Sequence, residues 1–371
     1  MRSKLSDICD YVKGKVDVAD LNNTNYISTE NMLPDKGGIT RAIALPSVTQ
    51  TQQYRTNDVL VSNIRPYFKK IWFATKDGGC SNDVLVFRAK DGVSPMFLYY
   101  VLSSDSFFNY SMVTSKGTKM PRGDKKIIMK YDVPDYDYAV QIKISSVLYA
   151  IDSKIAINDT INKNLEQQAQ AIYSDMFAVP DNDRENGVLS DIADITMGQS
   201  PSGSTYNEDG IGTVFYQGRT KFGFRFPTQR LFTTEPKRMA KENDVLMSVR
   251  APVGDLNVAR ENCCIGRGLG AIHSKDNHQS FVLYTVFDLK DQLDVFNGEG
   301  TVFGSINKDS LNSMPIVLPP ASLIDKFEEI VAPMDAQIRN NHEENLRLSS
   351  IRDSLLPQLM TGKLDVSAVD L

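Results

Sequence analysis

From Ile144 to Met176, seam positions recur at alternating spacings of four and three: Ile144, Leu148, Ile151, Ile155, Asn158, Asn162, Leu165, Ala169, Ile172 and Met176. Such spacing keeps one face of a helix aligned, and over more than four heptads it predicts a coiled-coil partner. No Pro or Gly interrupts the run. At 1.5 Å per residue this helix is roughly 50 Å long. The pattern returns at Phe327, Val331, Met334, Ile338, Asn341, Asn345, Leu348, Arg352, Leu355 and Leu359. There Pro333 is expected to kink or restart the helix and Pro357 to end it, because proline lacks an N–H and clashes one turn back. Arg352 is a flaw in this seam, with Ile351 as the neighbour that takes over the packing.

Shorter apolar runs bounded by Asn, Asp and Gly predict buried strands at 59–64, 71–74 and 84–87, then a helix from about Met96 entered at Ser94-Pro95. A second set follows at 245–249, 256–259 and 270–273, with a helix around 281–296. The order is the same because the chain repeats itself about 183 residues on. Leu5-Ser6-Asp7-Ile8 returns as Leu189-Ser190-Asp191-Ile192, and Asn57-Asp58-Val59-Leu60 as Asn243-Asp244-Val245-Leu246. Each of the latter is followed by a Ser and an Arg (Ser62 and Arg65; Ser248 and Arg250). Gly117-Thr118 returns as Gly300-Thr301, and Ile155, Asn158, Asn162 and Leu165 as Ile338, Asn341, Asn345 and Leu348.

Repetition at this period implies one scaffold carrying two modules that vary. The expected fold class is α+β: two mixed α/β modules and two long helices forming an antiparallel coiled coil, with pseudo-twofold internal repetition. The expected divisions are 1–138, 139–180, 181–318 and 319–371. Ile151, Ile155, Asn158, Asn162 and Leu165 should pair with Met334, Ile338, Asn341, Asn345 and Leu348. An Asn at a seam position fixes register, since a wrong pairing leaves its amide without a partner. The alternative is a locally exposed seam with ordinary surface Asn.

Composition changes this picture little. Hydrophobic residues make up 41% of 371, enough for sizeable cores. No run of 18 apolar residues occurs, so no membrane span is expected, nor a signal peptide at the acidic N-terminal segment. Cys9, Cys80, Cys263 and Cys264 have neither metal-ligand nor disulfide-framework spacing, which suits buried thiols in a reducing cytoplasm.

Net charge is −5, yet basic residues are concentrated locally. Lys116, Lys119, Arg122, Lys125, Lys126 and Lys130 face only Asp124, and 219–267 holds ten basic residues against five acidic. A polyanion responds to that local field. In the Gly-containing loop 115–122, Lys116, Gly117, Thr118, Lys119 and Arg122 are candidates to meet phosphates, with Lys125 just beyond. A structural turn requiring positive φ fits Gly117 equally well. The twin loop keeps Gly300 and Thr301 without the charge. Residues 217–226 interleave Arg219, Lys221 and Arg225 with Phe, which fits base-edge reading or a solvated basic hairpin. Arg65, Arg250 and Arg267 are further candidates, or surface ion pairs.

Chemistry of its own is not legible in this chain. It has no GxxxxGK[ST] loop and no Asn-Pro-Pro-aromatic or Asp-Pro-Pro-aromatic tetrad. Three His make a triad or metal cluster improbable. Asp181, Asp183 and Glu185 read as solvated linker charges.

The arrangement closely resembles the specificity subunit of type I restriction-modification systems over essentially the whole chain. The residues that carry it are Leu-Ser-Asp-Ile at 5–8 and 189–192, Asn-Asp-Val-Leu at 57–60 and 243–246, and Gly-x-Gly-Thr at 298–301 with Pro-Pro at 319–320. The run Leu355 to Leu364 completes it. The first copy departs, with Val133-Pro134-Asp135 for Pro-Pro and Ser115 for the first Gly. The resemblance implies that each module is a target-recognition domain for one half of a split site in double-stranded DNA. It implies a helix pair that sets the gap, about 15 base pairs at ~3.4 Å each. The implied partners are two modification subunits, which hold S-adenosylmethionine and methylate adenine, and restriction subunits that translocate and cut DNA. This chain would then be non-catalytic and cytoplasmic, with no cofactor or metal of its own. The alternatives are a specificity subunit of a type II enzyme with a separate cutting subunit, or a protein-only coiled-coil adaptor.

Overall fold

The computed structural model describes residues 2–177, 185–298, 304–364 and 366. The chain forms two compact units, Met1–Asn158 with Glu343–Leu371, and Asp159–His342. The division cuts through both long helices, Tyr138–Phe177 and Ala321–Met360, so each unit holds one module and a segment of each helix.

In the first unit an antiparallel sheet runs Cys9–Tyr11, Val84–Ala89, Val59–Ser62, Ile71–Phe73 in spatial order. Both of its faces are covered, which is why its central strands read as unbroken apolar runs. Val59, Val61, Leu85 and Phe87 share a core with Phe97, Phe107, Ile144, Leu148 and Leu359. Leu60, Val84 and Val86 point the other way, as alternation along a strand requires, and meet Ile27, Met32, Tyr54 and Cys80. That second core lies on a further sheet of Lys15–Asp17, Gln50–Tyr54, Gly78–Cys80 and Tyr26–Ile27, whose last pair is parallel. The expected helix near Met96 is two helices, Pro95–Ser103 and Asp105–Val113, capped by Ser94 and Ser104.

The second unit repeats the frame. Ala193–Met197, Leu269–Ser274, Val245–Ser248 and Leu256–Val258 form the matching sheet. Val245 and Met247 pack with Phe281, Phe327, Val331 and Ile338, while Leu246 packs with Val214, Tyr216 and Ile265. The helix expected over 281–296 spans Gln279–Asp288 and gives way to Lys290–Asp294. All four cysteines are free and buried, and burial pushes the thiols of Cys9, Cys80 and Cys263 up to about 12.

The repeated motifs are structural. In Leu-Ser-Asp-Ile, Asp7 accepts the Lys4 N–H at 2.8 Å and Asp191 the Val188 N–H at 2.8 Å, while Leu5 and Leu189 are fully buried. In Asn-Asp-Val-Leu, Asn57 and Asn243 take left-handed φ of 72° and 71°, a conformation Asn tolerates better than most residues. Asp58 then accepts the Arg55 N–H and two bonds from the Arg88 guanidinium, each at 2.7 Å. Asp244 accepts the Lys241 N–H at 2.8 Å and lies 2.6 Å from Nδ1 of His273.

The helix segments run antiparallel in each unit. Asn158, Asn162 and Asn341 are buried, not surface Asn. Asn158 donates to Asn345 Oδ1 at 2.9 Å, and Asn341 to Asn162 Oδ1 at 2.8 Å. Three expectations change. The second helix does not restart at Pro333, and it runs three residues beyond Pro357 to Met360. Arg352 stays in the seam, 2.9 Å from Asp152, so its charge is matched there and Ile351 remains 49% exposed.

Candidate nucleic-acid interface

In the first module, Lys116 and Arg122 exchange backbone hydrogen bonds of 2.9 Å, closing a loop in which Gly117 has φ +94°. The positive-φ turn is therefore present, and it carries Thr118 and Lys119 exposed at its tip. The Arg65 N–H donates to Pro121 O at 2.8 Å, which brings Arg65 to this loop from a distant part of the sequence. Two of the candidate charges are matched within the protein. Lys116 lies 2.8 Å from Asp124 and Arg122 3.1 Å from Asp83. The Lys116 ammonium and the backbone N–H groups of Ile127 and Lys126 hold the Asp124 carboxyl below its ordinary range, and Asp124 raises Lys116 in turn.

In the second module three candidates converge. Gly268 donates to Gln217 O and accepts from Val249 N, placing Arg267, Arg250 and the start of the 217–226 segment side by side. Arg219 closes the group through an ion pair with Asp255, whose N–H donates to Ser248 Oγ at 2.9 Å. The segment 217–226 contains a single 3-10 turn, Arg219–Lys221, in place of a hairpin. Lys119, Lys125, Lys221, Arg250 and Arg267 are exposed, and among the described residues none of them forms an ion pair. Gly300 and Thr301 lie outside the described residues.

The structural counterpart of Arg65 is Ala251, not Arg250. Ile64 bridges to Arg122 as Arg250 bridges to Ser305, and Ala251 N donates to Gly304 O as Arg65 N does to Pro121 O. The two Arg residues therefore occupy adjacent, different steps of one frame.

Arg225, a candidate for base reading, is instead enclosed within the second unit. It is 5% exposed, 3.0 Å from Glu166 and 3.3 Å from Asp335, and its guanidinium receives the Tyr284 ring at 5.7 Å. A guanidinium buried between two carboxylates is out of reach of a base edge. Burial pushes the Glu166 carboxyl up, against the lowering effect of Arg225.

Around Arg225 lies a feature that pattern reading missed. Tyr284 OH donates to Asp335 at 2.9 Å, and in the first unit Tyr100 OH donates to Asp152 at 2.8 Å. Each bond ties a module helix to a long helix. An Arg completes both, Arg225 from the second module and Arg352 from the second long helix. Tyr100 and Tyr284 are 184 residues apart, Asp152 and Asp335 183, so the repeat itself was the available signal.

The model of the type I restriction modification DNA specificity domain matches this chain twice, over residues 1–167 and 182–349. A Methanocaldococcus jannaschii protein, described provisionally as the MjaX specificity subunit of a type I restriction enzyme, is 28% identical, covering 77% of this chain and 72% of its own length. The HindI specificity subunit of Haemophilus influenzae is 22% identical and covers 97% of this chain and 98% of itself. The S subunit of a type I restriction-modification system from M. genitalium superposes with a TM-score of 0.60 at 15% identity, over 97% of this chain and 96% of that one, a likeness of fold.

Proposed function

Because the chain belongs to the type I restriction modification DNA specificity family, we propose that it is the subunit that selects the DNA sequence on which its partners act. Each unit reads one half of a bipartite site, and the helix pair sets the gap and docks the modification subunits. One observation carries the reading. The same sheet and the same turn motifs are built twice, while the tips they support differ: a cationic Gly loop beside Arg65 in one, the group Arg219, Arg250 and Arg267 in the other. Two unlike tips on one frame suit two unlike half-sites.

The chain acts without chemistry of its own. The methyl donor and the adenine-methylating groups belong to the modification subunits, and cleavage to restriction subunits. Among the described residues no group of three His, Cys, Asp or Glu is placed to hold a metal, and no helix is long and apolar enough to cross a membrane. Arg and Lys at the tips bind phosphates and base edges. Phosphate contacts give affinity and orientation, and base-edge contacts give the choice of sequence.

Methylome sequencing of a host expressing this chain with its neighbouring modification gene tests the proposal. The expected result is a new motif of two short defined halves around a fixed gap, with methyladenine in each half. No new methylation from soluble, assembled proteins would overturn it in favour of a protein-only adaptor.

A further inference from the structure

The first module presents an aromatic pair that the frame does not need. Arg65 and Lys69 both take left-handed φ, 50° and 49°, and between them Pro66-Tyr67-Phe68 forms one 3-10 turn. Non-glycine residues rarely adopt this conformation. The turn is held from below, where Asp35 N donates to Phe68 O at 2.8 Å and Lys36 N to Lys69 O at 3.0 Å. Tyr67 is nevertheless 49% exposed and Phe68 37%, with their ring centroids 4.7 Å apart.

The second module shows that the turn can be built otherwise. Pro252 stands where Pro66 does, and the residues that follow are Val253, fully buried, and Gly254. The exposed rings are thus an addition of the first module. Their surroundings are cationic: Lys70 Nζ lies 5.7 Å from the Phe68 ring centroid, Lys36 and Lys69 meet at Asp105, and Arg65 joins the loop carrying Lys119. The Arg65 Nε is buried with no hydrogen-bond partner. Apolar rings among cations fit a nucleic acid, whose phosphates take the charge and whose bases offer flat apolar faces. An apolar protein partner would gain nothing from the cations.

We propose that Tyr67 and Phe68 form a wedge that packs against a base step of the first half-site and partly unstacks it. The inference rests on the proposed DNA-selecting function and assigns two residues of it. Wedges of this kind open the duplex at a step and select for steps that open easily.

The test uses the full chain assembled with its modification subunit, and duplexes carrying a random 30-base-pair core. Selection with the wild-type complex should enrich a bipartite motif. The Tyr67→Ala/Phe68→Ala variant should keep the half read by the second unit and lose definition in the other, the retained half being its control for folding and assembly. Affinity for the wild-type motif should fall about 5- to 150-fold for each stacked base lost. 2-Aminopurine scanned through the first half should brighten at one step with wild type and stay dark with the variant. An unchanged motif would overturn the inference and leave the function standing. So would loss of both halves, or loss of subunit assembly without DNA, which would make the rings a protein contact. If wild type itself enriches no motif, the proposed function fails as well.

Discussion

Asn341 donates its side-chain amide to Oδ1 of Asn162 at 2.8 Å, and both side chains are buried. The bond from Asn158 to Asn345 is the same contact with the two copies exchanged, since each Asn recurs 183 residues on. A polar pair in an apolar seam favours the one alignment that satisfies both amides. Asn162→Leu alone should destabilise the protein by about 1–3 kcal/mol, because it strands the buried Asn341 amide. Asn162→Leu/Asn341→Leu should recover most of that in chemical denaturation while sedimentation shows new oligomers, the register having lost its discriminator.

The Tyr–Asp anchors should bear measurable load. Tyr284→Phe and Tyr100→Phe each remove a hydrogen bond to a carboxylate, and each should cost about 1.5–3 kcal/mol in urea denaturation. Arg225→Met leaves Glu166 and Asp335 facing each other without a cation and should cost about 3–5 kcal/mol. A stable Arg225→Met protein with weakened DNA binding would return Arg225 to the interface.

Burial of Glu166 sets the sign of a pH dependence. Its folded-state value is raised by burial, so the folded state holds the proton more tightly than the unfolded chain does. The contribution of Glu166 is fully present below the ordinary carboxylate value and is lost as pH rises through the raised one. Glu166→Gln cannot ionise. Its Tm should therefore gain on that of wild type as pH rises through this window and hold level above it. A difference that shrinks with rising pH would mean that Arg225 outweighs burial.

The exposed cations should divide by module. Lys119→Gln and Lys125→Gln, or Arg250→Gln and Arg267→Gln, should each lower the slope of log K against log salt by about 0.9 per phosphate contact removed. Where a residue reads a base, the methylome motif should relax in one half only. A residue that moves neither readout lies outside the interface.

The long helices and the repeat could be read from spacing alone, because a heptad seam and a recurring motif are local properties of the chain. Asn158, Asn162, Asn341 and Asn345 were legible as register residues for the same reason. The second sheets were not, since Lys15–Asp17 and Gly78–Cys80 are short, polar or glycine-rich and owe their strand conformation to neighbours. Arg225 illustrates the limit best. Its sequence setting matches that of Arg219 and Lys221, yet it is buried between Glu166 and Asp335, which stand 59 residues before it and 110 after. Local pattern determined the long helices, the apolar strands of the two central sheets, and that the scaffold is built twice. Only tertiary structure decided which charges are spent on Asp and Glu inside the protein and which stay exposed without an ion pair among the described residues, because ion pairing is a contact between segments that sequence order does not bring together.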